Sequence, residues 1–384
     1  MISIFRIVRV ESREEKMIKF PFLGYLGYII TKIFNTFKWL SFSIDKLETS
    51  RLRKRIAPIS VKKPIFIAGL ARAGTTIMLE MLSKNPDLAT HQYQHLLMPY
   101  IPYAINLVTN NMKIQAKPSE RVHQDGIIID QNSPEVVEEI FWQEFFNNAH
   151  NQNISNIIGK EVQKPKFESF YKNHIKKLLL SQNASRYLTK NNYNVTRLEY
   201  LLKLFPNSKF ILMIRNPINQ IASLIKQTEL FLNIERQKPL FQDWLQMIGH
   251  HEFGNGLKCI NTGNPEMINR IRNLWKNKKT TVKGWAYYWH SIYEYIANLL
   301  EENTEIKKAS YIVNYDELCE NSEVIINKLI EFLELPQGKF EIVKKYYINH
   351  LDKPTYYKPN FSKEELNYIK EITRSTAERF GLKL

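Results

Sequence analysis

The chain has 384 residues, 44% apolar and 12% aromatic, enough to bury a large core and to exclude general disorder. Its formal net charge of +16 favours anionic partners such as nucleotides, sulfated or phosphorylated substrates, nucleic acid or anionic lipid, although many of the lysines fit a solvated surface. Two cysteines, Cys259 and Cys319, imply neither a disulfide framework nor a metal cluster, and they suit a reducing, cytoplasmic setting.

Residues 1–58 are expected to form a helical arm, basic and apolar, ahead of a main domain over residues 59–384. Arg6, Arg9, Arg13, Lys16 and Lys19 surround short apolar runs. The longest such run, residues 20–31, has about 12 residues where a bilayer crossing takes about 20, and it lacks the cleavage site of a signal peptide. Ile33, Phe34, Phe37, Trp39 and Leu40, with Lys32 and Lys38, predict a helix packed on the domain; peripheral membrane contact through residues 1–58 is the alternative.

Residues 64–68 predict a buried strand, residues 69–74 a small-residue loop, and residues 75–83 a helix with Met78, Met81 and Leu82 on one face. This is the layout of a phosphate cradle, where loop amides and a helix N-terminus converge on one anion. The spacing Gly69-x4-Gly74-Thr-Thr resembles a Walker A loop, but Thr75 stands where a nucleotide hydrolase needs lysine, and the charge comes earlier, at Arg72. Residues 91–105, with Gln94 and His95, predict an irregular pocket wall. Ser133 is expected to cap, and Pro134 to open, a helix carrying Glu135, Glu138 and Glu139. His123 and these carboxylates are candidate acceptor-site groups, set against the plainer reading of a solvated face.

Residues 167–180 predict a helix, residues 186–189 a strand ending at Lys190, and residues 195–205 a helix. Residues 209–214 are a continuous apolar run, as in a parallel strand buried on both faces. That strand ends at Arg215, where a magnesium-dependent hydrolase would carry aspartate, and Ser223 follows eight residues later. Arginine there suits bidentate phosphate binding without a metal. Residues 241–253 and 281–302 predict aromatic helices, and residues 309–313 a last strand leading into Tyr315. Strands alternating with helices give an α/β fold with a mostly parallel sheet.

Taken together, the 66–76 loop, the Arg215/Ser223 pair and Tyr315-Asp-Glu-Leu resemble the sulfotransferase family that uses 3′-phosphoadenosine 5′-phosphosulfate (PAPS), over about residues 62–336. More narrowly, residues 123–142 and 249–254 are similar to a bacterial branch of that family. The resemblance implies a P-loop-NTPase-like three-layer fold with about five central strands. It implies that Arg72, Ala73, Gly74, Thr75 and Thr76 hold the 5′-phosphosulfate, that Arg215 and Ser223 hold the 3′-phosphate, and that Tyr315 meets the adenine. Arg72 and Lys190 match positions that supply charge to the reacting group. The glycine-rich C-terminal phosphate motif of the cytosolic branch is absent, and Gln94 stands where some members carry a base glutamate. His123 is therefore the expected general base, with Glu138, Glu139 and His95 behind it.

In-line sulfuryl transfer to a hydroxyl or amine needs fixed cations at the leaving phosphate and no metal. Two other readings stay open: a P-loop kinase-like phosphotransferase, and a non-catalytic nucleotide- or membrane-binding protein. No helix-turn-helix, zinc-finger or aromatic RNA-binding motif supports a nucleic-acid partner.

Overall fold

Strand β1, Ile65–Ala68, is buried along its whole length. Its side chains alternate, as strand geometry requires: Ile65 and Ile67 enter one core, Phe66 and Ala68 the other. The computed structural model describes residues 24–112, 116–336, 338, 340–351 and 359–384. The remaining strands are β2 (Leu88–Ala89), β3 (Ser119–Glu120), β4 (Ile128–Ile129), β5 (Arg186–Lys190), β6 (Lys209–Ile214) and β7 (Ser310–Asn314). Five of the seven form one parallel sheet in the order β2-β5-β1-β6-β7, while β3 and β4 make a separate antiparallel pair. In register, Ile67 lies beside both Lys190 and Ile211, and Ile214 beside Asn314. The carboxyl ends of β1, β5, β6 and β7 therefore open on one edge, the usual ligand edge of a parallel sheet.

The first three helices are α1 (Gly24–Thr36), α2 (Lys38–Ile56) and α3 (Thr75–Ser83). On one face of the sheet, Met78, Met81 and Leu82 of α3 share one core with Ile326, Leu329 and Leu333 of the helix Ser322–Leu333. On the other face, Phe66, Tyr187 and Phe210 pack toward the helices Pro165–Gln182, Pro217–Gln237 and Thr281–Glu302. This is the three-layer α/β fold expected from the sequence.

Ahead of the sheet, α1 lies against the helix Pro239–Met247, where Tyr28 and Lys32 both bond Asp243, at 2.5 and 3.3 Å. The inward face of α2 is Ser41, Asp45, Glu48, Leu52 and Ile56, at spacings of three and four. Lys177 meets that face fully buried, 2.7 Å from Asp45 and 2.9 Å from Glu48. Arg6, Arg9, Arg13, Lys16 and Lys19 lie outside the described residues.

Four predicted elements change. Asp130 Oδ1 accepts the N–H groups of Asn132 and Ser133, closing a side-chain turn, and Pro134 continues into an extended bridge with Gln92. Ser133 therefore caps nothing, and the helix starts only at Glu139 (Glu139–Phe145). The helix expected over 195–205 is a 3-10 turn, Asn192–Thr196, then Leu198–Leu204, broken at Arg197. The helix expected over 241–253 stops at Met247, because Gly249 takes φ +79° and a Cβ there would strike the Glu139 side chain. Within residues 91–105 a helix, Pro102–Met112, begins.

Candidate active site

The loop from β1 to α3 is shaped by close approach. Gly69 lies against the Met213 carbonyl and Gly74, at φ +91°, against the Tyr315 ring; a Cβ at either would collide. Between them Arg72 holds φ +69°, a left-handed conformation that costs a non-glycine residue energy and must be held by its surroundings. Its guanidinium donates from Nε to Ser223 Oγ at 2.9 Å and from Nη1 to Asp125 Oδ2 at 2.9 Å. Asp125 is also bound by Arg121, whose Nε reaches Oδ1 at 2.8 Å. Burial alone would raise the Asp125 pKa, but Arg121 and Arg72 hold it well below the ordinary range. Arg121 Nη1 also reaches Thr76 Oγ1 at 3.3 Å. The turn between β3 and β4 is thus latched onto the phosphate loop.

Arg215, at the end of β6, sits with its guanidinium 5.1 Å from the centre of the Tyr315 ring, and its Nη1 donates to the Arg72 carbonyl at 3.4 Å. Tyr315 directly follows β7 and Ser223 is buried on the helix Pro217–Gln237. The structure therefore brings together Arg72, Gly74, Arg215, Ser223 and Tyr315, with Ala73 buried in the loop.

On the other side of Arg72 lies a pocket of about 110 Å³. Arg72, Thr75, Thr76 and Lys190 line one end, together with Asn192, Glu135 and Glu252. Phe231, Phe241, Trp244, Leu245 and Ile248 supply apolar walls. Burial lowers the Lys190 pKa and the nearby charges of Glu252 and Glu135 oppose that shift. Thr75 Oγ1 donates to Asn192 Oδ1 at 3.3 Å, and Asn192 Nδ2 donates to Glu252 Oε1 at 3.0 Å. A hydrogen-bonded chain thus runs from the phosphate loop across the end of β5 to the turn after Gly249.

His123 lines this pocket, its ring 5.1 Å from Phe231 and 6.0 Å from Phe253. Burial, and then the charge of Arg121, lower its pKa well below the ordinary 6.5. Its ring forms part of the pocket wall, in the same pocket as Arg72 and Lys190. The other expected bases are built into the core. Glu138 accepts hydrogen bonds from Tyr171, Tyr187 and Thr189. Glu139 takes both Arg197 nitrogens, at 2.7 and 2.8 Å, and Asn191 at 2.7 Å. Burial would raise Glu139, yet Arg197 and His150 outweigh it and bring the pKa to about 2. His95 is fully buried against Asn106 at 2.8 Å, and burial lowers it to about 4.

Asp125, Arg121, Asn192 and Glu252 are site groups that the sequence reading did not single out for a role. The signal for Glu252 was its place three residues after Gly249, a turn glycine. Among the described residues, no group of three or more His, Cys, Asp or Glu is placed to hold a metal ion, and no helix is long and apolar enough to cross a membrane.

Residues 64–250 match the model of the sulfotransferase family. The chain is 26% identical over 182 residues to the protein-tyrosine sulfotransferase of Drosophila melanogaster, covering 47% of this chain and 29% of that protein. It is 27% identical over 163 residues to protein-tyrosine sulfotransferase A of Caenorhabditis elegans, covering 42% of this chain and 33% of that one. The matched stretch thus spans about a third of these curated relatives. A sulfotransferase of Mycobacterium avium superposes with a TM-score of 0.53 at 14% identity, covering 88% of this chain and 82% of its own, which is a likeness of fold.

Proposed function

We propose, from the match of residues 64–250 to the sulfotransferase family model, that this chain moves a sulfuryl group from PAPS to a hydroxyl or amine acceptor by in-line displacement. The observation that carries the reading is the convergence of Arg72, Lys190, Arg215 and Ser223 on the carboxyl edge of the sheet. Two anion sites are needed by a donor phosphorylated at both ends, and the loop amides with Arg72 serve one while Arg215 with Ser223 serve the other.

In this reading the amides of Ala73 and Gly74 and the hydroxyls of Thr75 and Thr76 hold the 5′-phosphate. Tyr315, its ring close to Gly74 and to the Arg215 guanidinium, takes the adenine side. Charge accumulates on the bridging oxygen as the sulfur–oxygen bond breaks, and Arg72 and Lys190 are the cations placed to meet it. Asp125 keeps Arg72 oriented before the donor arrives. His123 and the apolar walls suit an acceptor whose hydroxyl is carried on an apolar body. Cationic side chains do the work that a metal does in nucleotide hydrolases, so transfer is expected to persist in chelator.

The test is calorimetric titration with 3′-phosphoadenosine 5′-phosphate (PAP), followed by a labelled-sulfate transfer screen over lipid, sugar, peptide and phenol acceptors. Saturable PAP binding with label transfer is expected. No PAP binding, with ATP turnover in magnesium, would overturn the proposal in favour of a kinase.

A further inference from the structure

The turn that ends the helix Pro239–Met247 places His250 and Glu252 in the pocket beside the phosphate loop. The backbone fixes this turn: His250 N–H donates to the Leu245 carbonyl at 2.9 Å, His251 N–H to Tyr193 Oη at 3.0 Å, and Lys258 N–H to the His251 carbonyl at 2.9 Å. Side chains fix it further. The His250 ring lies parallel to Phe231, with an interplanar angle of 1° and centroids 5.3 Å apart. Its Nδ1 faces Glu252 Oε2 at 3.4 Å. Both atoms are buried and neither has a hydrogen-bond partner among the described residues, so each is the nearest available complement of the other. The remaining carboxylate oxygen, Oε1, is held by Asn192, which is held in turn by Thr75.

From this geometry we propose that His250 is the base that takes the acceptor's proton, with Glu252 as the positioning residue that fixes its tautomer. The proposal rests on the sulfotransferase reading above. A carboxylate facing Nδ1 favours a proton there, leaves Nε2 with a free lone pair, and stabilises the imidazolium that forms. His250 lines the same pocket as Lys190 and Thr75, with its side chain 20% exposed, so the free nitrogen serves that pocket. The acceptor oxygen bonds to sulfur as its proton passes to His250 Nε2. The bond from sulfur to the bridging oxygen breaks, its electron pair stays on that oxygen, and PAP leaves as the product. His250 is faced by Glu252, by His123 at a ring distance of 5.8 Å, and electrostatically by Glu235 and His251. Among these, Glu252 is the one that meets Nδ1.

Three variants, H250N, E252Q and E252D, test the pair in the full chain. PAP affinity should stay within about twofold of the parent in H250N, whose side chain bonds none of the proposed phosphate groups, and PAP titration of E252Q and E252D separates any effect passed through Asn192 to Thr75 from the effect on turnover. With para-cresol as acceptor, whose hydroxyl must be deprotonated, H250N should lose about a hundredfold or more in turnover. With para-nitrophenol, largely ionised at mildly alkaline pH, the loss should be less than about tenfold. E252Q should follow H250N more weakly, and E252D should recover part of the rate. Equal losses with both phenols would mean a structural role and would overturn the proposal. A second measurement needs neither donor nor acceptor: nitrogen–proton NMR of histidine-labelled protein, with the His250 signal assigned by its absence in H250N. The expected result is a proton on Nδ1 in the parent, lost from that nitrogen or shared in E252Q. A proton on Nε2, or a His250 signal indifferent to E252Q, would overturn the dyad even if PAP binds. Absence of PAP binding by the parent chain would instead remove the donor reading.

Discussion

Arg72 is the residue on which the two halves of the site turn. Its left-handed backbone is held by a loop whose glycines admit no side chain, and its guanidinium is divided between Ser223 and Asp125. Removing the side chain takes away charge that matters most when the leaving phosphate carries its full negative charge. Arg72→Ala is expected to lower transfer by about 10²–10³-fold while PAP binding survives through Arg215; stopped-time transfer assays with parallel calorimetry check this. Glu139 gives a prediction for pH. Its carboxyl is lowered from an ordinary 4.5 to about 2, so it binds fewer protons folded than unfolded. Its contribution to stability is present above about 4.5 and is lost as the pH falls from 4.5 toward 2. Urea unfolding of the parent and Glu139→Gln should therefore differ most near neutrality, and the gap should close through that window.

At the scale of elements, the arm is tied to the domain by a buried charge cluster. Lys177 of the helix Pro165–Gln182 has no exposed side-chain surface and meets Asp45, Glu48 and the Tyr100 carbonyl. Lys177→Met would leave two buried carboxylates without their cation, and about 3–5 kcal/mol of stability should disappear in chemical denaturation. The triple variant Lys177→Met, Asp45→Asn, Glu48→Gln should recover most of it. Nothing local marks Lys177 in the sequence: its partners lie on α2, and a lysine on a helix reads as solvated. By contrast, β1 and β6 were legible because a strand buried on both faces shows as an unbroken apolar run, and Thr281–Glu302 because its apolar period is sustained. The helices that were misread failed where one side chain answered a distant one. Arg197 interrupts its helix in order to reach Glu139, and Gly249 ends its helix because Glu139 stands where a Cβ would go. The same glutamate, read from the sequence as a candidate base, thus shapes the turn that carries His250 and Glu252. The phosphate loop and Arg215 could be singled out from the sequence because each sits at a strand end, while Ser223 and Tyr315 were named through the family resemblance, at a fixed step beyond a strand. Asp125 and Glu252 could not, since their significance depends on which loops the fold lays side by side.

Across the whole molecule, the phosphate loop, Lys190, Arg215 and Tyr315 lie at the carboxyl ends of β1, β5, β6 and β7, on one edge of one sheet. The 121–126 turn, Glu135, the helix Pro239–Met247 and the 249–254 turn reach the pocket from outside that sheet. In the proposed function the sheet edge then sets the donor end, and these loops and the helix complete the acceptor end. That division suits a scaffold that keeps one cosubstrate and varies the other.

The position of β7 has a kinetic meaning. It is the edge strand beside β6, its burial is the most partial of the five, and its pairing joins Phe210 to Ser310 across a long stretch of chain. Such closures come late in folding and open early in unfolding. Tyr315 follows β7 directly, so the place against Gly74 and Arg215 exists only while that edge is docked. A bound nucleotide would then fasten the edge of the sheet. Hydrogen exchange should show it: PAP is expected to slow the amides of residues 310–315 far more than those of β1, which sits in the middle of the sheet and opens only with the whole domain. Equal protection of both would mean that the nucleotide does not engage the β7 end.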